Sequence, residues 1–440
     1  MKKTLFGTDG IRSRVGISPL TMHELPILGQ ALAQWAQEKY GAHARMLLIS
    51  DTRSSTDFIK AALQTGLLLS SLRIYDGGIM PTPAAYVFTY KQKQFDCSIV
   101  ISASHNPYAD NGIKIMDSQH GKISDHDQEI ITSLFIKNIS SPNLYNNYGQ
   151  IARWQEGQKA YSTFVINYFK TDFLRTKTIV LDCAHGATSF LAPFIFSHCG
   201  AHVIALNNRP NGTNINQECG ALFPLGLQKA MQFYNADAGF AFDGDGDRLI
   251  AIAKNGDIKD GDDILVLLLD HPLYANSQAV VGTIMSNSGL EAKLKLQGRA
   301  LIRTAVGDKH IAHALSSYRL MLGAEPSGHV IMSDYMNTGD GIFTALRLLE
   351  AITVHNNWNM ISFKRYPQIH LTLSVSTKKD LTSGTLARII TCHERQLVNG
   401  RLIVRYSGTE NVLRLMLEDT NEEHARQIGL SLKKQLHSYL

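Results

Sequence analysis

Ile101-Ser-Ala-Ser-His-Asn-Pro107 joins the end of a charge-free apolar run, Ser98-Ile-Val-Ile101, to a polar turn that carries Ser104 and His105. A short apolar run bounded by turn residues reads as a buried strand. Open α/β sheets place their chemistry just beyond the carboxyl ends of such strands. The segment therefore points to an α/β sheet with a serine hydroxyl at its functional edge. Outward from it the same pattern repeats. Leu25, Leu28, Leu32 and Trp35 recur at helical spacing, and Met46-Leu-Leu-Ile49 reads as a strand entering the polar turn Asp51-Thr-Arg-Ser54. A helix through Ala61 to Leu69 precedes the strand Arg73-Ile-Tyr75, and Ile113-Lys-Ile115 with Gly121 suggests a small hairpin after the serine turn.

The polar stretch Ser140 to Gln150 reads as a boundary. Beyond it the strands Thr178–Asp182, Ala201–Leu206 and Ala238–Phe242 form a second cycle. A helix through Ile264 to Leu269 and strands at Ala279–Val281, Ala300–Ile302 and Leu320–Leu322 form a third. Strand and helix alternate over a shorter length from Tyr366 onward. The expected architecture is α/β: three similar α/β domains with mixed sheets, at 1–152, 153–255 and 256–365, plus a C-terminal α+β domain at 366–440.

A chain of 440 residues is too long for one core, and 44% hydrophobic with 18% charged residues suits globular domains. A net charge of +5 without a dense Lys/Arg block disfavours nucleic acid and membrane surfaces, while leaving room for a basic pocket that takes a small anion. The five cysteines are scattered with no Cys-x-x-Cys pair, as expected in a reducing cytoplasm. The N-terminus turns polar before an apolar signal core forms, and no apolar run approaches the roughly 20 residues of a membrane span. The expectation is a cytoplasmic protein.

Asp243-Gly-Asp-Gly-Asp-Arg248 follows the strand that ends at Phe242. Three carboxylates at alternating positions, spaced by glycines, can curl around one hard cation. An EF-hand needs glycine at its sixth position and glutamate at its twelfth; here those are Arg248 and Lys254. Mg²⁺ is favoured over Ca²⁺, with phosphate oxygen or water completing the shell. Ser104 alone signals little, because turn serines commonly satisfy backbone donors. Carrying a phosphate, with its charge near −2, it would match a cation at Asp243, Asp245 and Asp247, with Arg248, Arg12 and Lys114 adding positive charge. A cation so placed draws charge from a transferring phosphoryl group.

Two further loops have the composition of ligand contacts. Gly323-Ala-Glu-Pro-Ser-Gly-His329 sets Glu325 and Ser327 two residues apart, either to bind vicinal sugar hydroxyls beside His329 or simply to turn between two strands. Arg405-Tyr-Ser-Gly-Thr-Glu410 groups Arg405, Ser407, Gly408 and Thr409, a cation, two hydroxyls and backbone amides suited to phosphate. No nucleotide-binding glycine loop is present, so the phosphate is expected from a sugar or the enzyme itself.

In this order, the start Leu5-Phe-Gly-Thr-Asp-Gly-Ile-Arg12, the serine loop with Asn111-Gly-Ile-Lys114, the Asp243–Arg248 loop and the two ligand loops resemble the α-D-phosphohexomutase superfamily along nearly the whole chain. Within it the pattern is similar to the bacterial phosphoglucosamine mutases, chiefly through the N-terminal segment and Val306-Gly-Asp308; the neighbouring branch is phosphomannomutase/phosphoglucomutase. A non-catalytic sugar-phosphate-binding protein on the same scaffold is the alternative of another class.

The resemblance implies four domains around a central cleft, one Mg²⁺ per chain on Asp243, Asp245 and Asp247 with the phosphate of phosphoserine Ser104, and a glucosamine 1,6-bisphosphate intermediate. It implies an isomerase supplying UDP-N-acetylglucosamine and cell-wall synthesis, with a homodimer expected. His105, Lys114, Arg12, Arg248 and His329 become catalytic candidates, with Lys114 and His329 handling protons. Glu325, Ser327, Lys309, Arg405, Ser407, Gly408 and Thr409 become substrate contacts. Pro326 stands where those mutases carry glutamine, Lys309 where arginine is usual, and Asn411 where proline is usual. Altered sugar preference is expected first at Pro326, because proline removes a backbone donor.

Overall fold

The computed structural model describes residues 5–7, 9–140, 148–407 and 411–440. The chain forms two compact units, one of residues 1–284 with 302–361 and the other of 285–301 with 362–440.

The first third of the larger unit runs β1 (Ile11–Arg14), α1 (Glu24–Tyr40), β2 (Arg45–Ser50), α2 (Thr56–Leu67), β3 (Arg73–Ile79), α3 (Thr82–Tyr86), β4 (Cys97–Ile101), β5 (Asp110–Asp117), β6 (Gly121–Lys122), α4 (Asp125–Ser140) and β7 (Gln150–Arg153). Its seven strands lie in the order β1-β5-β4-β2-β3-β7, with β6 beside β5. Strands β4, β2, β3 and β7 are parallel, and β1, β5 and β6 pair antiparallel. Every residue of β4 is buried, Ser98 included, which explains why its sequence carries no charge. Leu25, Leu28, Leu32 and Trp35 are all buried on α1. A Cβ on Gly66 would lie 1.8 Å from Pro26 O, and one on Gly29 2.2 Å from Leu63 O. Glycine at both positions lets α1 and α2 cross with their backbones nearly touching.

The unit continues through α5 (Gly157–Ile166), β8 (Thr178–Asp182), α6 (Leu191–His198), β9 (His202–Leu206), α7 (Leu225–Phe233), β10 (Ala238–Phe242), β11 (Leu249–Ile252), β12 (Ile258–Lys259) and α8 (Gly261–Leu268). These strands form a second mixed sheet, β12-β11-β10-β8-β9. Next come β13 (Ala279–Thr283), α9 (Ser288–Leu296), β14 (Ala300–Thr304), α10 (Asp308–Tyr318), β15 (Leu322–Ala324), β16 (Val330–Met332) and α11 (Gly341–Val354), with a third sheet in the order β14-β13-β15-β16. β15 begins two residues later than its apolar run suggests. Arg319 is left-handed at the end of α10, and Leu320 N still bonds Leu315 O to close that helix.

The smaller unit carries α9 with β17 (Gln368–Ser374), α12 (Gly384–Glu394), β18 (Arg401–Tyr406), β19 (Val412–Glu418) and α13 (Glu422–His437). Its antiparallel sheet, β17-β19-β18, packs Leu413, Leu415 and Leu417 against Ala425, Ile428 and Leu432 of α13. The chain is thus α/β with three mixed sheets followed by an α+β module, as the sequence pattern implies. Among the described residues no helix is long and apolar enough to cross a membrane.

Candidate active site

β4 delivers Ser104 to the carboxyl edge of the first sheet, and β10 delivers Asp243, Asp245 and Asp247 to the same edge of the second. Ser104 is 1% exposed and its φ is +52°. The left-handed conformation costs a serine roughly 1–2 kcal/mol, so neighbouring groups must hold it. They do so on both sides of the residue. Ser104 N donates to Ser102 Oγ (2.9 Å), and Ser102 Oγ donates to Asp51 Oδ2 (2.6 Å). Ser104 O accepts from Arg53 Nη2 (3.0 Å) and Asn216 Nδ2 (2.9 Å).

Arg53 uses all five of its N–H groups. Nε bonds Asp51 Oδ2 at 2.9 Å, Nη1 bonds the carbonyls of Pro107 and Asp110, and Nη2 bonds those of Ser104 and Asn106. Its side chain is fully buried. Asp51, Arg53, Ser102 and Asn216 carry no role in the sequence reading. The visible signal was the polar turn Asp51–Ser54, which ends β2, the strand paired to β4.

Ser104 Oγ donates to Asp243 Oδ2 at 2.6 Å. The aspartate loop approaches the serine so closely that a Cβ on Gly244 would lie 2.7 Å from Ser104 O, and one on Gly186 2.3 Å from Gly244 O. Gly244 is therefore required by backbone contact, and Gly246 by its φ of +73°. Each of the three aspartates offers an oxygen within 4.8 Å of the others, and all three residues are buried. Asp245 Oδ1 and Asp247 Oδ1 accept no hydrogen bond. Buried carboxylate oxygens left without donors, converging on one point, fit a hard divalent cation such as Mg²⁺. Thr82, another residue with no role in the sequence reading, steadies the loop: its hydroxyl bonds Asp245 Oδ2 and its amide donates to Asp245 O at 2.9 Å.

Lys114 reaches the same carboxylates from β5, with Nζ 2.8 Å from Asp245 Oδ2 and 3.0 Å from Asp247 Oδ2. Burial alone would lower its pKa, but Asp245, Asp247 and Asp9 raise it well above the ordinary lysine value. Burial, then Asp247 and Asp245, push Asp243 well above the usual carboxylate range. Burial also acts to raise Asp247, yet Lys114, His329 and Arg248 outweigh it and hold that carboxyl well below. His105 Nδ1 is 3.3 Å from Ser104 Oγ. Burial and then Arg248 and Arg12 lower His105 to about 4, so its ring is neutral near pH 7. Arg12 pairs with Asp9 at 2.9 Å, and the Nε of both Arg12 and Arg248 is buried without an acceptor. Two buried, unanswered guanidinium donors suit an anion.

His329 sits with Nδ1 3.8 Å from Asp247 Oδ1 and Nε2 3.4 Å from Asp308 Oδ2. Burial would lower this imidazole, but Asp247 and Asp308 raise it above its ordinary value. Glu325 and Ser327 lie in the hairpin turn between β15 and β16, where Glu325 is buried and Ser327 exposed. Glu325 Oε1 accepts from Gly307 N at 2.8 Å. The bonds that close this turn use the amides of Glu325 and Gly328, so the donor missing at Pro326 is not one the turn needs.

Lys309 lies at the surface, its Nζ 2.6 Å from Asp125 Oδ1. In the smaller unit Arg405 is exposed at the end of β18 and Ser407 is buried beyond it. Gly408 and Thr409 lie outside the described residues. Ser407 N bonds Val412 O at 2.9 Å, and Asn411 O accepts from Val375 N at 3.0 Å, so Asn411 continues the sheet edge.

Four domain families of one group match in chain order. Residues 3–141 match phosphoglucomutase/phosphomannomutase alpha/beta/alpha domain I, 159–256 domain II, 260–363 domain III and 379–433 the C-terminal domain. A phosphoglucosamine mutase of Coxiella burnetii (strain CbuG_Q212) is 38% identical over 437 residues, covering 97% of each chain. One of Acinetobacter baumannii (strain ATCC 17978) is 36% identical over 441 residues, covering 98% of each. The crystal structure of a phosphoglucomutase/phosphomannomutase family protein from Burkholderia thailandensis shares the fold with TM-score 0.78 at 21% identity, over 100% of this chain and 98% of that one. With full-length identity at this level and all four domain families in order, the chain belongs to the phosphoglucosamine mutases of the phosphohexomutase superfamily.

Proposed function

We propose that this chain interconverts glucosamine 6-phosphate and glucosamine 1-phosphate, with Ser104 carrying the phosphoryl group, on the route to UDP-N-acetylglucosamine. The observation that carries the proposal is the 2.6 Å bond from Ser104 Oγ to Asp243, beside two buried carboxylate oxygens without donors. Asp243, Asp245 and Asp247 would hold one Mg²⁺ together with the serine phosphate. When bound, that ion supplies positive charge to the phosphoryl oxygens as charge builds on them.

In the forward direction the bond from phosphorus to Ser104 Oγ breaks as a bond from phosphorus to sugar O1 forms, giving glucosamine 1,6-bisphosphate. O1 loses its proton and Oγ gains one, so the transfer is proton-neutral overall. In this step Lys114, kept charged by its carboxylates, donates to the departing Oγ and is recharged by the proton from O1. In the return transfer neutral His105 accepts the proton that the attacking Oγ loses and that passes on to O6. His329, whose Nε2 accepts from Gly339 N at 3.0 Å, faces Asp247 through Nδ1 and orients that carboxylate. The bisphosphate then presents its 6-phosphate to Ser104 and the same step runs in reverse. Arg12 and Arg248 neutralise the reacting phosphate. Glu325 and Ser327 read sugar hydroxyls, and Arg405, Ser407, Gly408 and Thr409 hold the phosphate that is not reacting. Lys309 would join them only by leaving its ion pair with Asp125, which is exposed and weak.

The deciding experiment combines intact-mass analysis with turnover of glucosamine, glucose and mannose 6-phosphates. One phosphate on Ser104 and preference for the amino sugar are expected. Clear preference for mannose or glucose would move the chain to the neighbouring branch, and a protein that carries no phosphate and turns over none of the three is no mutase.

A further inference from the structure

Asp9, Lys122 and Asp308 have no place in the phosphoryl-transfer steps, yet they close a ring of charges on the site. Lys114 Nζ lies 3.0 Å from Asp247 Oδ2 and 3.1 Å from Asp9 Oδ2. Asp9 Oδ1 lies 2.8 Å from Lys122 Nζ, and Lys122 also pairs with Asp308 Oδ2. Asp308 Oδ2 is 3.4 Å from His329 Nε2, and His329 Nδ1 returns to Asp247 Oδ1 at 3.8 Å. Basic and acidic side chains alternate around all six positions, with His329 Nε2 accepting from Gly339 N at 3.0 Å, so that of its two nitrogens only Nδ1 turns a proton toward a carboxylate. The ring joins five separate stretches of chain: the turn before β1, the β5–β6 hairpin, the aspartate loop after β10, the head of α10 and the β15–β16 hairpin.

We propose, on the footing of the phosphoryl-transfer function above, that Lys122 is a positioning residue that holds Lys114 and His329 in register on Asp247. Lys122 is the basic member of the ring that touches neither Asp247 nor Asp245, and it is the bridge between Asp9 and Asp308. Without it those two carboxylates repel each other across the gap that one ammonium now fills. Asp9 then relaxes onto Lys114, and Asp308, freed of its cation, presses on the His329 ring at the Nε2 that accepts from Gly339 N, so that both bases move off the metal-binding aspartate. Lys122 keeps a 30% exposed side chain, so its ion pairs are partly solvated and contribute little to folding. The fold survives its loss, and the geometry does not.

The test uses the full chain carrying Lys122→Met, Lys122→Arg, Asp308→Asn, or Lys122→Met with Asp308→Asn. Lys122→Met should lower kcat for glucosamine 6-phosphate by about 30-fold, as expected for a displacement on the order of 1 Å, with KM and melting temperature nearly unchanged. Lys122→Arg should recover most of the rate, and the double variant should be no slower than the worse single one. Crystal structures of wild type and Lys122→Met should show Lys114 and His329 displaced by about 1 Å. A Lys122→Met rate near wild type, multiplying effects in the double variant, or undisplaced Lys114 and His329 would each overturn the role. If wild type turns over no hexose phosphate, the functional proposal fails on its own, and the crystal structures still decide the ring.

Discussion

The serine–aspartate centre and the two ligand loops are built on opposite principles. Ser104, Asp243, Asp245 and Asp247 are all 5% exposed or less, with the backbone of Ser104 bonded by Arg53 and Asn216 and that of Asp245 by Thr82. Ser327 and Arg405 are exposed at a hairpin turn and a strand end. A group that breaks and forms bonds gains from being fixed before the ligand arrives. A group that admits a ligand must be reachable. Changes at the centre should therefore act on rate or fold, and changes at the loops on substrate affinity.

Ser104→Ala is the most severe way to probe that division. Removing the phosphoryl carrier should cut turnover on the order of 10⁴-fold or more while leaving the melting temperature close to wild type. Intact mass should show no phosphate on the variant. Residual turnover within tenfold would mean that the buried serine is scaffold, and the contrast between the regions would collapse. Asp245→Ala should cost on the order of 10³-fold. Calorimetry with MgCl₂ should show the affinity lost in a protein that remains folded. Wild-type turnover in that variant would contradict the metal assignment.

Much of the centre was legible in the sequence because its chemistry is local. Ser104 follows a buried strand free of charge, and the three aspartates alternate with glycines that a close backbone approach and a positive φ require. The braces were not legible, because Arg53 and Ser104 are far apart in sequence and meet only when β2 and β4 pair. Thr82 begins a five-residue helix with no polar neighbour to mark it. Asp9, Lys122 and Asp308 are ordinary charges until three chain segments bring them together. The sugar preference expected to change at Pro326 was argued from its missing donor, and which amides close that turn cannot be read from composition. The domain pattern was easier, since each sheet announces itself by apolar runs of strand length.

Arg53→Met separates bracing from chemistry. It leaves the buried Asp51 carboxylate without its cation and takes one donor from each of four carbonyls, so stability should fall by about 3–5 kcal/mol. Chemical denaturation measures this directly, and a loss below about 1 kcal/mol would show that the serine loop holds its shape unaided. Arg405→Ala should do the reverse, raising KM for glucosamine 6-phosphate about tenfold with a smaller change in kcat and no change in melting temperature. A collapse in kcat at constant KM would place Arg405 with the rate-determining groups and blur the comparison.

The smallest effect should come from His105, which borders the centre without being sealed inside it. Burial and the nearby Arg248 and Arg12 lower its folded pKa to about 4 from the ordinary value of 6.5. The folded state therefore binds this proton less readily than the unfolded state does. Above pH 6.5 both states are neutral at His105 and its ionisation makes no difference. As pH falls from 6.5 toward about 4, the unfolded chain takes up the proton first and gains stability relative to the fold. Wild type should then lose melting temperature across that window relative to His105→Asn, which has no such titration. The difference should be a few degrees at most, because the imidazole is only half-buried and solvent screens the arginines. Parallel melting curves for the two proteins from pH 7 to 4 would show that His105 titrates as it does in the unfolded chain, and would remove the neutral acceptor from beside Ser104 in mildly acidic solution.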